Sequence, residues 1–178
     1  MADITPKSDI TPKYWRDGAF ASDGWHHGES DDGSGQVILP LAAYLALSLE
    51  QRKAGANRLG VMILPGEKLD EIVPDLAHVS LIALTFPAYN DGRSHSKAAL
   101  LRSRYGYAGE IRAVGDVLVD QIPLLLRNGF NSLEIKSGVA IKRLEDHIDT
   151  SVPIYYQPGT TAATKPAGYS WRRVPANS

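Results

Sequence analysis

Val79-Ser-Leu-Ile-Ala-Leu-Thr-Phe-Pro87, Ala88-Tyr-Asn-Asp-Gly-Arg-Ser-His-Ser96, Lys97-Ala-Ala-Leu-Leu-Arg-Ser-Arg-Tyr-Gly106, Glu110-Ile-Arg-Ala-Val114 and Asn131-Ser-Leu-Glu-Ile-Lys136 succeed one another across residues 79–136. The first is an apolar run closed by proline, which reads as a buried central strand. The second is a polar loop, the third a helix-forming segment, and the fourth a short strand ending in Gly115-Asp116. A second amphipathic helix over 117–127 stops at Asn128-Gly129, and the last piece is another strand. Strand, loop, helix, strand, loop, helix, strand is the pattern of a parallel sheet with crossover helices. In such folds the chemistry sits at the C-terminal ends of the strands. The residues there are Asp91, Gly92, Arg93, Ser94 and Ser96 after the first strand, Gly115 and Asp116 after the second, and Lys136 after the third.

Working outward, residues 36–39 are a short apolar piece, and Pro40 suits the first turn of a helix running on to residue 53. Residues 59–64 read as a buried strand. A helix over 68–76 carries Pro74 in its interior and should be short or broken. Residues 138–148 read as a helix and 152–156 as a last strand. On the N-terminal side, Tyr14-Trp15 and Trp25 surround two Asp-Gly pairs, Asp17-Gly18 and Asp23-Gly24, which predict a small hairpin over 14–28. Residues 29–35 read as a solvated acidic linker. Residues 1–13 hold a tandem Asp-Ile-Thr-Pro-Lys and read as a flexible tail, and 160–178 as a C-terminal extension. The expectation is one α/β domain over 14–159, with a mostly parallel sheet of about five strands, crossover helices and an N-terminal hairpin. An open three-layer sandwich and a half-barrel of βα units fit equally.

The 178 residues carry a formal net charge of −1, which argues against a general nucleic-acid binder. There is no cysteine, so disulfides, thiolate nucleophiles and cysteine-held metal or iron–sulfur centres are excluded. With no signal-like leader and no apolar run of bilayer length, a soluble cytoplasmic protein is the expectation. His26-His27 is assigned no metal, because adjacent histidines on a strand point to opposite faces.

The loop from Asp91 to Ser96 opens a helix whose first N–H groups lack acceptors and carry partial positive charge. Arg93 adds a fork of donors and Ser94 or Ser96 adds hydroxyls, a set suited to phosphate, sulfate, sulfite or a carboxylate. The commoner reading of such a stretch is a capped turn, with Ser94 as N-cap and Arg93 paired to Asp91 or Asp116. Asp116 reads either as an acid–base residue or as the cap of the next helix. Lys136 reads either as an anion partner or as a surface lysine. No dinucleotide, phosphate-loop or nucleophile-elbow fingerprint occurs, and the cofactor is left unknown.

Phe86-Pro-x-x-x-Asp91-Gly-Arg-x-x-Ser96-x-Ala98-x-Leu100-Leu-Arg102, then Tyr105-Gly-Tyr-x-Gly109-Glu-Ile-Arg112-Ala-Val-Gly115-Asp116-Val-Leu-x-Asp120-Gln121, then Gly129-Phe130, resembles the bacterial domain of unknown function family 934. The resemblance runs over about residues 37–156. Members often carry the label oxidoreductase of sulfite reduction, and often a cysteine where this chain has Asn128. The resemblance implies an accessory protein of assimilatory sulfate or sulfite reduction that binds a small oxyanion at the strand-end rim. Two other readings stay open: a non-catalytic assembly partner of sulfite reductase or another sulfate-assimilation enzyme, and an oxidoreductase with a dissociable cofactor. Homo-oligomerisation is left open.

Overall fold

The computed structural model describes residues 11–88 and 91–146. Three short strands come first: β1 (Lys13–Arg16), β2 (Ala19–Ala21) and β3 (Trp25–His27). Between β1 and β2, Asp17 and Gly18 take φ of 51° and 91°. A two-residue hairpin turn of primed type needs positive φ at both places, which is why Asp-Gly sits there. β4 (Gln36–Pro40) runs into α1 (Leu41–Ala46), and α2 (Leu49–Ala54) follows. The single helix expected over 41–53 is therefore two. Ser48 breaks it, since its hydroxyl accepts from Gln51 N–H while the Gln51 side chain reaches back, a capping box that starts a new helix.

β5 (Leu59–Ile63) and β6 (Leu81–Phe86) are joined by two 3-10 turns, Leu69–Glu71 and Val73–Asp75, where Pro74 breaks the expected helix. α3 (Arg93–Ser103), β7 (Glu110–Gly115), α4 (Ile122–Arg127), β8 (Ser132–Ile135) and α5 (Gly138–Glu145) complete the alternation. Pro123 lies in the first turn of α4, where a missing N–H does no harm. The strand expected over 152–156 and the extension over 160–178 lie outside the described residues, as does most of the tail. Lys13, assigned to that tail, is the first residue of β1 and pairs with Ile135. Among the described residues no helix is long and apolar enough to cross a membrane.

The sheet has eight strands, not about five, in the order β2-β1-β8-β7-β6-β5-β4-β3. β3 to β8 run parallel, and the hairpin adds to β8 antiparallel. The strand count was missed because β1, β2 and β3 are too short for a periodicity to show. Asp23-Gly24 is not a second hairpin turn. It lies on the link between β2 and β3, the two outer strands of the sheet. A flat sheet of this width would separate its edges by about 34 Å at the usual strand spacing. The link from Ala21 to Trp25 reaches no more than about 14 Å when fully extended. The sheet must therefore curl, and it forms a half-barrel with β2 and β3 drawn towards each other. Of the two architectures expected, this excludes the open sandwich.

Alternate residues of each strand face opposite sides. Val61, Ile82, Leu84 and Ile111 pack on the helices in the main core. Ile38, Leu81, Ala83 and Val114 form a smaller apolar cluster on the other face, with Trp25 and Met62 against it. Gly60 makes room for Trp25, since a Cβ there would stand 3.1 Å from the indole Cζ3. Arg102 holds the loop before β7 and the end of α4, donating to the carbonyls of Tyr107, Gly109 and Gly129 at 2.5, 2.8 and 2.9 Å.

Candidate functional site

Because β6, β7 and β8 are parallel neighbours, the segments leaving them share one end of the sheet. That places Asp91 and Arg93, Asp116, and Lys136 along the same rim. Phe86 and Gly115 are register partners, and Asp116 N–H donates to Phe86 O at 2.8 Å. Asp91 and Arg93 form a two-pronged pair at 2.7 and 2.9 Å. The bonds from Arg93 hold the Asp91 carboxyl at about 2, well below the usual carboxylate range. This is the internal pairing foreseen for a capped turn.

Ser94 is not the N-cap. Gly92 holds that position without a side-chain bond, and Ser94 is buried one residue inside α3, donating to Thr85 O at 2.6 Å. Its hydroxyl is drawn to this carbonyl near the end of β6 rather than to its own helix. Ser96 is exposed. Asp116 does not cap the following helix either, because the chain first makes a 3-10 turn, Val119–Gln121, and α4 starts only at Ile122.

Gly115, Asp116 and Lys136 meet Ser137, Gly138 and Val139 around an open cleft of about 590 Å³. The Lys136 side chain is 55% exposed, with its ammonium 3.3 Å from Glu134. Ser137 caps α5 by accepting from Ala140 N–H at 3.3 Å. The N–H groups of Gly138 and Val139 precede the first intrahelical bond and so lack a helical acceptor. The Asp116 carboxylate accepts no hydrogen bond among the described residues.

A second set of charged residues, unread in the sequence, lies on the concave face. Arg112 is buried on β7. It donates to Asp23 at 2.7 and 3.0 Å and to Glu110 at 2.8 and 3.0 Å, with the Tyr14 ring 4.5 Å from its guanidinium carbon. Glu110 also accepts from Ser132 at 2.6 Å and from Arg16 at 3.2 Å. Asp23 thus ties the β2–β3 link to the middle of the sheet. Beside it, His27 of β3 stands 2.7 Å from Glu134 of β8. His26 and His27 face opposite ways, as adjacent strand residues do. Asp31 of the supposed linker is bound by the Arg58 guanidinium through both of its carboxylate oxygens, so that loop is anchored to the start of β5.

Burial pushes the Glu134 carboxyl up, but the bond from His27 and the charges of His27 and Lys136 outweigh it, and the net shift is downward. A carboxyl whose folded value is depressed stabilises the fold above its unfolded value, and that stability is lost as pH falls through the folded value. Glu134→Gln should therefore flatten the loss of stability below about pH 4, the ordinary range of a free Glu. Urea denaturation of both proteins across the acid range measures it. Parallel curves would mean that Glu134 is not held down in the fold.

Residues 60–167 match the family described as bacterial protein of unknown function (DUF934). The chain belongs to that family. The match begins at Gly60 in β5 and takes in both the rim and Arg112. It leaves β1 to β4 outside, and with them Asp23 and His27. Within it, Gly109 leaves room for the Tyr107 ring, whose hydroxyl would stand 2.3 Å from a Cβ, and Gly115 is set by its contact with Phe86. No curated protein and no solved structure matches the chain.

Proposed function

We propose that this DUF934 protein binds a small, proton-bearing oxyanion at the strand-end rim and serves sulfite reduction as an accessory factor. The cleft formed by Gly115, Asp116 and Lys136 at the start of α5 carries the reading. The Lys136 ammonium supplies the opposite charge, and the opening N–H groups of α5 supply donors directed along the helix axis. Asp116 refines the choice of anion. An ionised carboxylate repels a fully ionised oxyanion but accepts a hydrogen bond from one that still carries a proton. Hydrogensulfite and hydrogenphosphate meet that condition and sulfate does not. Sulfite is chosen on the label often attached to the family. Asp91, Gly92, Arg93, Ser94 and Ser96 form the neighbouring part of the rim. Of these, Arg93 is exposed and can lend its charge to an arriving anion, which raises the rate of encounter more than the final affinity.

Calorimetric titration with sulfite, phosphate and sulfate at neutral pH tests the assignment. Sulfite and phosphate should bind more tightly than sulfate. Lys136→Ala should weaken both by roughly tenfold or more, the scale of one charge-assisted bond. Asp116→Asn should erase the discrimination against sulfate. Arg93→Ala should have the smaller effect, confined to low salt, and should cost little stability because the Arg93 side chain is 63% exposed. No heat with any of the three anions, or binding indifferent to Lys136, would remove the anion site.

A further inference from the structure

The curl of the sheet creates a second cleft, of about 530 Å³, on the concave face between β1, β2, β3 and β8. It lies at the mouth of the half-barrel, where barrel folds commonly hold small ligands, and its volume is in the range that suits one. Tyr14 and Trp25 give it aromatic walls, and His27 with Glu134 gives it one polar corner.

Three observations define what it would take. The charged side chains lining it are already paired: Lys13 with Glu145, Asp23 with Arg112, and Glu134 with His27 and Lys136. A charged ligand would have to break one of these pairs, so an uncharged one fits. The Trp25 indole lies against Gly60 on the sheet and also lines the cleft, which offers a flat surface to a ring. Finally, the Glu134 carboxyl is held ionised by its two partners. An ionised carboxylate has no proton to give, so the 2.7 Å contact requires the proton to be on His27 Nε2. The other ring nitrogen, Nδ1, has no protein partner among the described residues. A carboxylate behind an imidazole fixes the orientation of the ring and leaves the opposite nitrogen for a ligand.

We infer that this cleft is a binding site for a small uncharged planar ring bearing a hydroxyl group, which stacks on Trp25 and hydrogen-bonds to His27 Nδ1. The site is separate from the rim and does not depend on anion binding there.

Phenol serves as the probe, cyclohexanol as a non-planar control and glycerol as a polar one. Trp25 fluorescence and the ring signals of His27 in two-dimensional nuclear magnetic resonance are followed on the full chain. Phenol should shift the His27 signals saturably, with a dissociation constant on the order of 1 mM, a fragment's affinity, and cyclohexanol should bind at least tenfold more weakly. His27→Leu and Trp25→Leu should each weaken phenol binding at least tenfold. Ala21→Trp, an exposed position on β2 that lines the cleft, should block it without touching the core, and so serves if either other variant fails to fold. Absence of a saturable shift in the wild-type protein, equal binding of cyclohexanol, or phenol binding undiminished in Ala21→Trp would each overturn the assignment. Asp116→Asn, which alters the rim and touches nothing in the cleft, should leave the phenol response in place, so the failure of one site is distinguishable from that of the other.

Discussion

Arg112→Ala should lower the free energy of unfolding by about 3–5 kcal/mol, the range for removing one member of a buried ion pair. The arginine is almost wholly enclosed and serves two carboxylates at once, Asp23 and Glu110. Without it, Glu110 keeps only Arg16, Ser132 and Tyr14, and Asp23 loses its hold on the sheet. Urea denaturation with the slope checked for constancy measures the change. Arg112→Lys should restore less than half of it, because an ammonium cannot make two planar contacts together. Replacing Asp23, Glu110 and Arg112 together by leucine should recover much of the loss, since no charge is then stranded. A loss below about 1 kcal/mol for Arg112→Ala, the size of an exposed pair, would show that the curl is held by apolar packing alone.

Gly115→Ala should be the other damaging change. Gly115 has a φ of 102°, and a Cβ there would stand 2.4 Å from Phe86 O. The backbone strain alone costs about 1–3 kcal/mol. The clash is with a main-chain carbonyl that also accepts from Asp116 N–H, so it cannot be relieved by turning a side chain. β6 and β7 would have to part at the rim, taking Asp116 with them. Loss of anion discrimination should therefore accompany the loss of stability. A Gly115→Ala protein as stable as the wild type, with sulfate still refused, would contradict both the geometry of this corner and the role given to Asp116.

The parallel half of the sheet was legible because β5 and β6 are nearly continuous apolar runs, the mark of strands covered on both faces. The loops after β6, β7 and β8 followed from that order, so the rim could be named from sequence. The concave face could not. In Glu110-Ile-Arg-Ala-Val, the alternation of polar and apolar residues is that of a strand with one wet side. Arg112 is buried only because the sheet curls and brings Asp23 over it from 89 positions away. The His27–Glu134 contact spans 107 positions. No local pattern records such a meeting. A polar residue on the inner side of a curved sheet looks the same, in sequence, as one on the outer side of a flat one. Ser94 was misread for a related reason. A hydroxyl at the start of a helix usually caps it, and only the proximity of Thr85 O reveals the competing acceptor.

The order of strands also sets a timetable. β1 is near the beginning of the chain, yet its principal partner is β8, with Lys13 opposite Ile135. At ordinary rates of synthesis, of 5–20 residues per second, the hairpin waits about 6–24 s between leaving the ribosome and meeting that strand. When β8 does emerge, its outer edge stays unpaired until the hairpin returns to it. On a polysome, where nascent copies lie side by side, that edge is equally open to the hairpin of a neighbour, and the exchanged pair would contain the same ladders as two separate molecules.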